Sequence, residues 1–282
     1  MSATLLLGQP IADQVYASVS KGVQKLNRLG RRVHICAVLV GEDPGSIAYL
    51  RIKEARCKSL GIDFTLRTLA ANTAYEQLEA LILELNNDRN ITGIIVQLPL
   101  PDHLDRDRIL QLVRSLKDID AFFYSLSRTA TITGVPPPTP HGMLKLLDYY
   151  HLEMQNKNVV VVGHGLLVGQ PLAQMIKERG IHPAVIEEDA HGDQALLQSA
   201  DIIMTGVGHP NLIQPGMIKE GVVIVDAGYE KVNGRVYGDV SAECAEKALA
   251  MTPSVGGVGP LTVACLLENA LKLAQMQQSK HR

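Results

Sequence analysis

The 282-residue sequence contains no tryptophan, and aromatic residues make up only 4% of it. Net charge is also scarce, because 27 lysines and arginines stand against 29 aspartates and glutamates. Such a balance creates no long-range field that would attract a phosphate backbone or an anionic lipid surface. No apolar run approaches the roughly 18–20 residues that span a bilayer. We therefore expect neither a nucleic-acid partner nor a membrane partner.

The amino terminus lacks the basic segment of a signal peptide, and its short apolar run is broken at residues 8–10 by Gly-Gln-Pro. We therefore expect a cytoplasmic protein. Its nine histidines never pair with other ligand residues at metal-binding spacing on one element, so no metal is expected. The four cysteines are far apart and form no C-x-x-C motif, which favours reduced, buried thiols. They are Cys36, Cys57, Cys244 and Cys265.

What the sequence does contain is a series of Val- and Ile-rich apolar runs of strand length. These runs are continuous rather than alternating, which is typical of parallel strands buried on both faces. Helix-length amphipathic segments separate them, so the pattern predicts a doubly wound α/β fold. The candidate strands are 34–41, 91–101, 158–165, 183–188, 200–208 and 221–228, and the candidate helices are 10–30, 44–60, 73–88, 140–152, 168–180, 193–199, 241–249 and 261–277.

A proline run at Pro136–Pro138 lies in a stretch without helical periodicity, residues 125–140. Because proline neither continues a helix nor donates to a central sheet, this stretch is interpreted as a connection between two domains. The amphipathic C-terminal segment is expected to pack back on the first domain. We therefore expect a first domain of residues 1–138, completed by a helix at 261–282, and a Rossmann-like dinucleotide-binding domain of residues 139–260.

A glycine-rich loop follows the strand candidate at 158–165 and opens a helix. Glycines in this context let the chain turn tightly and bring backbone N–H groups against a pyrophosphate. The spacing is G-x-G-x-x-x-G, so an ordinary strand-to-helix turn remains the alternative. Small residues also end the strand candidates at 200–208 and 221–228, at the same carboxyl edge of the predicted sheet. The candidate dinucleotide contacts are Gly163, His164, Gly165, Val168, Gly169 and Pro171, with Gly206 and Gly208 from the end of the strand candidate at 200–208.

Two acidic residues, Glu187 and Glu188, end the strand that follows the glycine loop. An acidic side chain at this point accepts hydrogen bonds from the adenosine ribose in NAD-binding folds and would repel the 2′-phosphate of NADP. The position therefore favours NAD, and a solvated acidic turn is the alternative.

A second group of candidate residues lies earlier in the chain. Tyr49 and Lys53 are four residues apart, so they share one face of the predicted helix, where a phenol and an amine can flank one substrate atom. Gln97 lies at a strand tip, where prolines stop the ladder, and Asp120 belongs to a KDID segment. By spacing alone, Lys53 is better explained as a surface lysine of the helix, and Asp120 is also explained as a loop carboxylate or a helix cap.

Seven segments form a set when they are taken together. They are Tyr49-x-x-x-Lys53, GIIVQLPLP (93–101), KDID (117–120), PTPHG (138–142), GHGLLVGQP (163–171), GDV (238–240) and TPSVGGVGPLTVACLLEN (252–269). This set resembles the bifunctional methylenetetrahydrofolate dehydrogenase/cyclohydrolase (FolD) family, and the match runs in order through nearly the whole chain.

The resemblance implies two α/β domains with a cleft between them, a folate bound against the first domain, NAD or NADP on the second, and a homodimer. It also implies oxidation of 5,10-methylenetetrahydrofolate to the 5,10-methenyl cation with NAD(P)⁺, followed by hydrolysis to 10-formyltetrahydrofolate. By matching position, Lys53 would be the principal catalytic residue and Gln97 would hold its amine. Tyr49 would orient the folate, and Asp120 would bind the pterin. The turn at Gly256, Gly257 and Pro260 would let the nicotinamide and the folate approach the backbone.

The sequence departs from the usual family pattern at several loops. His164 and Gly165 replace an Arg-Ser pair whose arginine is associated with the NADP 2′-phosphate, so this position also favours NAD over the family default, NADP. The segments after Asp120 and before Gly256 differ as well. These changes leave open a divergent, non-catalytic folate- or dinucleotide-binding homologue that acts through a partner. A shikimate-type dehydrogenase is disfavoured by the VQLPLP and GGVGP-T segments.

Overall fold

A computed structural model of the chain describes residues 3–127, 133–187 and 193–279. Helices and parallel strands both run through it, which confirms the predicted α/β class. The strands are β1 (Thr4–Leu5), β2 (His34–Val40), β3 (Asp63–Leu69), β4 (Gly93–Val96), β5 (Val159–Val162), β6 (Ala184–Ile186), β7 (Ile202–Thr205), β8 (Val223–Asp226), β9 (Glu230–Val232), β10 (Arg235–Tyr237) and β11 (Ala250–Met251). The helices are α1 (Gln9–Arg28), α2 (Pro44–Leu60), α3 (Tyr75–Asn87), α4 (Arg106–Gln111), α5 (Phe122–Ser127), α6 (Pro138–Tyr149), α7 (Gly169–Glu178), α8 (Gln194–Ser199) and α9 (Val258–Ser279), with 3₁₀ turns at Pro215–Met217 and Ala242–Glu246.

The chain divides into two compact units. The six-strand unit consists of Met1–Asp13 and Pro137–Cys265, and the three-strand unit consists of Gln14–Pro136 and Leu266–Arg282. The first residues were expected in the first domain, whereas β1 pairs with β11 and therefore belongs to the sheet of the six-strand unit.

The sheet of the six-strand unit has the order β1-β11-β8-β7-β5-β6, and each neighbouring pair is parallel. Its central strands β5, β7 and β8 are buried along their whole length, as continuous Val and Ile runs predict. The chain passes from β5 outward to β6 and then returns across β5 to β7. The strand order therefore reverses between β5 and β7, and ligands of open α/β sheets bind at the carboxyl ends of strands at such a point.

The sheet of the three-strand unit has the order β3-β2-β4, again parallel. The C-terminal part of α9 belongs to this unit. The side-chain amide nitrogen of Asn269 donates to the carbonyl oxygens of Ile119 at 2.9 Å and Pro136 at 2.8 Å. Through Asn269, α9 therefore links the segment at Ile119 to the segment at Pro136, which is distant in sequence.

The interpretation of residues 125–140 as a connection is wrong at both ends. Helix α5 extends to Ser127, and α6 begins at Pro138. A proline at the first helical position is tolerated, because the N–H that it lacks has no partner inside the helix anyway. Residues 128–132 lie outside the described residues.

The helix predicted at 241–249 is also wrong, since the chain forms only a 3₁₀ turn there before β11. Ala250 and Met251 pair with Val223 and Ile224 of β8, and this pairing requires an extended chain. Strand β3 was not predicted either. Its central residues are partly or fully exposed, as in an edge strand, so it carries no continuous apolar run.

The four cysteines are buried thiols, as the sequence predicts. Among the described residues, none of the helices combines the length and the apolar character needed to cross a membrane.

Candidate active site

Helix α2 carries Tyr49 and Lys53 on one face. The helix starts where the Asp43 carboxylate accepts the backbone N–H of Ser46 at 2.7 Å, and it ends at Gly61, whose φ of 73° is left-handed. The Lys53 side chain is buried although lysine is almost never buried without a partner. Its Nζ lies 4.6 Å from the centroid of the Tyr49 ring. The structure thus excludes the interpretation of Lys53 as a surface lysine.

Gln97 follows β4 and reaches the same amine. Lys53 Nζ donates to Gln97 Oε1 at 3.1 Å, while Gln97 Nε2 donates to the carbonyl oxygen of Leu98 at 2.7 Å. The hydroxyl of the buried Ser46 donates to that same carbonyl at 3.2 Å. Because a carbonyl oxygen only accepts, the amide nitrogen must face Leu98, and the amide oxygen is left for the lysine. Ser46 is a contributor that the sequence analysis missed.

The KDID segment places Asp120 near this pair through its backbone. Asp118 forms an isolated parallel bridge with Ile94 of β4, so the chain runs beside β4 in the same direction. Asp120 lies two residues after Asp118, and Val96 lies two residues after Ile94. The parallel bridge therefore brings Asp120 beside Val96 and its neighbour Gln97. The carboxylate of Asp118 accepts the backbone N–H of Phe123 at 2.9 Å. Capping of this turn is therefore the role of Asp118, and Asp120 is left to interact with Lys53.

Burial dominates the electrostatics of this group. Desolvation lowers the pKa of Lys53, and the nearby Asp120 partly opposes that shift. Desolvation raises the pKa of Asp120, and Lys53 partly offsets it. The pKa of Tyr49 is raised by burial and by the charge of Asp120. A lysine with a lowered pKa can exchange a proton near neutrality, which an ordinary surface lysine does poorly.

The glycine loop lies at the carboxyl edge of the other sheet. Gly163 has a φ of 86°, and its N–H donates to the carbonyl of Ile186 at 2.8 Å. A Cβ on Gly169 would overlap the Gly163 carbonyl oxygen, and a Cβ on Gly206 would lie 2.6 Å from a methyl carbon of Val168. These glycines are required by the packing of the loop itself.

Gly165 and Gly208 differ from the other glycines at this edge. No atom of the described residues lies within 4 Å of a Cβ added at either position. Gly208 needs glycine for its φ of 84°, but Gly165 has no positive φ and no crowding. An open backbone surface at the reversal point of the sheet fits a dinucleotide, whose pyrophosphate needs close approach to the chain. Pro171 is buried in the first turn of α7.

His164 and Glu187 face each other at the rim of this edge. His164 Nδ1 lies 3.8 Å from Glu187 Oε1, and the two side chains are 40% and 80% exposed. The carbonyl oxygen of His164 accepts a hydrogen bond from Gln170 Nε2 at 2.8 Å, which ties the loop to α7. Glu188, the second acidic candidate, lies outside the described residues.

Two buried aspartates at the same edge were given no role in the sequence analysis. Asp239 accepts one hydrogen bond from the last residue of β7 and three from the loop after it. Asp226 at the end of β8 accepts the backbone N–H groups of Gly228 and Val240. In the sequence, the GDV segment at 238–240 is the feature that could have indicated these buried aspartates. A Cβ on Gly238 would overlap the Asp226 carboxylate, so its glycine indicates a carboxylate packed against the backbone.

The structure places Gly256, Gly257 and Pro260 in the six-strand unit, whereas Tyr49 and Asp120 belong to the three-strand unit. Gly256 and Gly257 lie in the turn from β11 into α9, and Pro260 lies in the first turn of α9. The carbonyl oxygen of Gly256 accepts the N–H of Gly8 at 2.9 Å, and a Cβ on Gly257 would overlap the carbonyl of Pro253. The turn therefore has a packing role, which does not conflict with a ligand on its open side.

Two family models match the chain. Residues 6–120 match the tetrahydrofolate dehydrogenase/cyclohydrolase catalytic domain, and residues 137–278 match the NAD(P)-binding domain of the same family. The bifunctional protein FolD 2 of Geobacter sulfurreducens is 39% identical over 286 residues, which cover 99% of this chain and 100% of that protein. The bifunctional protein FolD of Helicobacter acinonychis is 37% identical over 281 residues, which cover 98% of this chain and 96% of that protein.

Solved structures give the same result. The bifunctional FolD enzyme of Campylobacter jejuni superposes with a TM-score of 0.91 at 35% identity, covering 98% of this chain and 99% of that one. The FolD enzyme of Trypanosoma brucei, complexed with NADP cofactor and an inhibitor, has a TM-score of 0.91 at 28% identity and covers 100% of both chains. The chain therefore belongs to the tetrahydrofolate dehydrogenase/cyclohydrolase family, as its motifs predict.

Proposed function

We propose that this chain oxidises 5,10-methylenetetrahydrofolate to 5,10-methenyltetrahydrofolate with a nicotinamide dinucleotide and hydrolyses the product to 10-formyltetrahydrofolate. The bifunctional names of relatives that match the full chain support both activities. The observation that carries the proposal is the buried Lys53 amine, hydrogen-bonded to Gln97 and next to Tyr49 and Asp120. A non-catalytic binding protein would gain nothing from this desolvated lysine, which costs stability.

Lys53 is assigned the proton transfers of the hydrolysis. In its neutral form the amine takes a proton from the water that attacks the methenyl carbon, which leaves a neutral hydroxyl adduct. The ammonium then returns this proton to N5 as the bond between carbon and N5 breaks. The hydroxyl proton of the adduct leaves to solvent, and the formyl group remains on N10. The cationic substrate lowers the pKa of Lys53 further, in the same direction as burial.

The neighbours of Lys53 are assigned positioning and binding. Gln97 holds the amine through its fixed amide oxygen. Asp120 binds the amino group and ring N–H of the pterin, because a carboxylate accepts two parallel hydrogen bonds. Tyr49 packs on the lysine amine with its ring and orients the folate. On this assignment the three-strand unit is the catalytic and folate-binding domain.

The carboxyl edge of the six-strand sheet is assigned to the dinucleotide, which accepts a hydride when bound. Gly165 and Gly208 offer open backbone there, and the buried N-terminal turn of α7 follows the loop. We propose that NAD is preferred, because Glu187 is exposed at the end of β6 and a histidine replaces the usual arginine beside it. A 2′-phosphate would meet a carboxylate there rather than a guanidinium.

We also propose a cytoplasmic homodimer, which analytical ultracentrifugation and cell fractionation would test.

The deciding experiment follows the absorbance of methenyltetrahydrofolate. Formation is measured from the methylene substrate with NAD⁺ and with NADP⁺, and decay is then measured without a dinucleotide. We expect formation with both dinucleotides, a higher kcat/KM with NAD⁺, and enzyme-dependent decay. Tight folate or dinucleotide binding in calorimetry without turnover would instead favour the non-catalytic alternative.

The cofactor preference is tested separately with Glu187→Gln. Removing the negative charge should raise kcat/KM for NADP⁺ roughly 3- to 10-fold relative to NAD⁺, since one exposed charge contributes about 1 kcal/mol. The matched control is Glu220→Gln, an exposed residue that precedes β8 at the opposite edge of the same sheet. An unchanged ratio in Glu187→Gln, or an equal change in the control, would contradict this role.

A further inference from the structure

The last residue of β7, Thr205, and the loop that follows it to His209 are organised around one side chain. Asp239 Oδ2 accepts the Thr205 hydroxyl and the Val207 N–H, both at 2.7 Å. Asp239 Oδ1 accepts the N–H groups of Gly208 at 2.8 Å and His209 at 2.9 Å. Three consecutive backbone donors of the loop therefore point to a single carboxylate.

A carboxylate, with two acceptor oxygens, satisfies all four of these hydrogen bonds. Asp239 is fully buried, and each of its oxygens accepts two hydrogen bonds, which together compensate for the loss of water around the charge. An asparagine has one acceptor oxygen, so its NH₂ group would face either one or two of the three N–H groups. Gly228 makes room for the carboxylate, because a Cβ there would overlap Asp239 Oδ1.

The loop that Asp239 holds is in contact with the glycine loop. A Cβ on Gly163 would lie 2.6 Å from a methyl carbon of Val207, and a Cβ on Gly206 would lie 2.6 Å from a methyl carbon of Val168. The two loops end β5 and β7, the strands between which the sheet order reverses. A change in the path of residues 205–209 would therefore also displace the glycine loop.

We propose that Asp239 is a positioning residue for the dinucleotide: by gathering the N–H groups of Val207, Gly208 and His209, it holds the loop in the one path that leaves Gly208 open and Val207 packed on Gly163. This inference rests on the proposed function, because it assumes that the dinucleotide occupies this edge. Asp239 does not itself touch the ligand. It acts through the loop, behind the surface that the ligand would meet.

The test uses Asp239→Asn in the full-length protein. The matched control is Asp201→Asn, which makes the same substitution at the amino end of β7, where the Asp201 carboxylate accepts the N–H of Asn158 at 2.8 Å and Lys219 Nζ at 2.7 Å. Binding of NAD⁺ and NADP⁺ is measured by calorimetry without folate, and the dinucleotide KM and kcat are measured with the methylene substrate. Hydrolysis of methenyltetrahydrofolate is measured without a dinucleotide, and thermal unfolding reports the stability of each variant.

We expect Asp239→Asn to weaken dinucleotide binding at least 10-fold, raise the dinucleotide KM more than it lowers kcat, and leave hydrolysis within 2-fold of the wild type. Asp201→Asn should lower the unfolding temperature while dinucleotide binding stays within 2-fold. Equal weakening in the two variants, or unchanged binding in Asp239→Asn, would overturn the proposal. If the wild type binds dinucleotide but shows neither activity, the proposed function fails while the role of Asp239 is still tested.

A measurement on the wild type keeps the proposal falsifiable should Asp239→Asn fail to fold. Gly208 and His209 are exposed residues, so their amides would exchange rapidly with solvent if Asp239 did not hold them. Hydrogen exchange without ligand should show both amides protected at least 100-fold relative to an unstructured peptide. Rapid exchange of both would refute the positioning role.

Discussion

At the scale of single residues, the chemistry of this protein depends on how a charge is held away from water. Lys53 has one hydrogen-bond acceptor in Gln97, a ring face in Tyr49 and a neighbouring carboxylate in Asp120. Neither the acceptor nor the carboxylate cancels the effect of burial, so the pKa of the amine stays below its ordinary value. The same burial that costs stability makes the neutral form of the amine easier to reach than in an exposed lysine.

Replacing this amine should separate hydrolysis from binding. Lys53→Met keeps the length and apolar stem of the side chain, and we expect it to lower the rate of methenyltetrahydrofolate hydrolysis by about 10²–10⁴-fold, the usual contribution of a general acid or base. Folate binding, measured by calorimetry, should remain within an order of magnitude. The control is Lys58→Met, an exposed lysine in the last turn of the same helix. Retained hydrolysis in Lys53→Met would remove Lys53 from the mechanism.

At the scale of elements, the loop between β5 and α7 shows that glycines of one motif have different structural roles. Gly169 begins the helix directly against the backbone of Gly163, whereas Gly165 lies in open space. Gly169 allows the helix to start close to the end of β5, and Gly165 leaves open space on the outer side of the loop. Sequence spacing alone treats them as equivalent members of one motif.

Alanine substitution should distinguish the roles of Gly169 and Gly165. In Gly169→Ala the new Cβ overlaps the Gly163 carbonyl, so we expect a loss of about 1–3 kcal/mol in unfolding free energy together with weakened dinucleotide binding. In Gly165→Ala we expect stability within about 0.5 kcal/mol of the wild type, yet dinucleotide binding weakened roughly 10-fold by the methyl group at the ligand surface. Denaturant titration and calorimetry measure the two effects. Normal dinucleotide binding in Gly165→Ala would place the ligand elsewhere.

At the scale of the whole molecule, each unit carries a buried carboxyl group that stays protonated to unusually high pH. Burial raises the pKa of Asp118 to about 7 in the three-strand unit. Burial, with the charge of Asp239 second, raises the pKa of Asp226 to about 7 in the six-strand unit. An unfolded chain releases both protons near pH 4, so between pH 4 and 7 the folded chain binds more protons than the unfolded chain.

Stability should therefore fall as pH rises through this window. Each raised pKa contributes stability that is fully present below pH 4 and is lost as pH approaches 7, up to about 4 kcal/mol per group. We expect the denaturant midpoint of the wild type to drop between pH 5 and 8. Asp118→Asn and Asp226→Asn should each make the denaturant midpoint depend less on pH. Asp102→Asn, at an exposed position, should leave that dependence unchanged. A midpoint that rises over the same range would contradict the assignment.

The parts of the fold that the sequence predicts well are those encoded by neighbouring residues. Helix α2 is predicted at its observed bounds, because its cap, its length and its end at Gly61 are local signals. Strand β3 and the segment before β11 are not, because an edge strand carries no continuous apolar run and β11 is extended only by pairing with β8. For the site, the helical spacing of Tyr49 and Lys53 is a local property, whereas the burial of Lys53 is not.

The sequence by itself therefore determined the α/β class, the family, the glycine loop and the shared face of Tyr49 and Lys53, since periodicity, turn chemistry and motif order act over a few residues. Tertiary structure decided which side chains meet. Asp120 comes beside Lys53 because Asp118 bridges to β4, and Gln97 faces Lys53 because Leu98 takes its amide nitrogen. Asp239 shapes a loop some thirty residues earlier in the chain. Such contacts depend on the order of strands in a sheet, which no short stretch of sequence encodes.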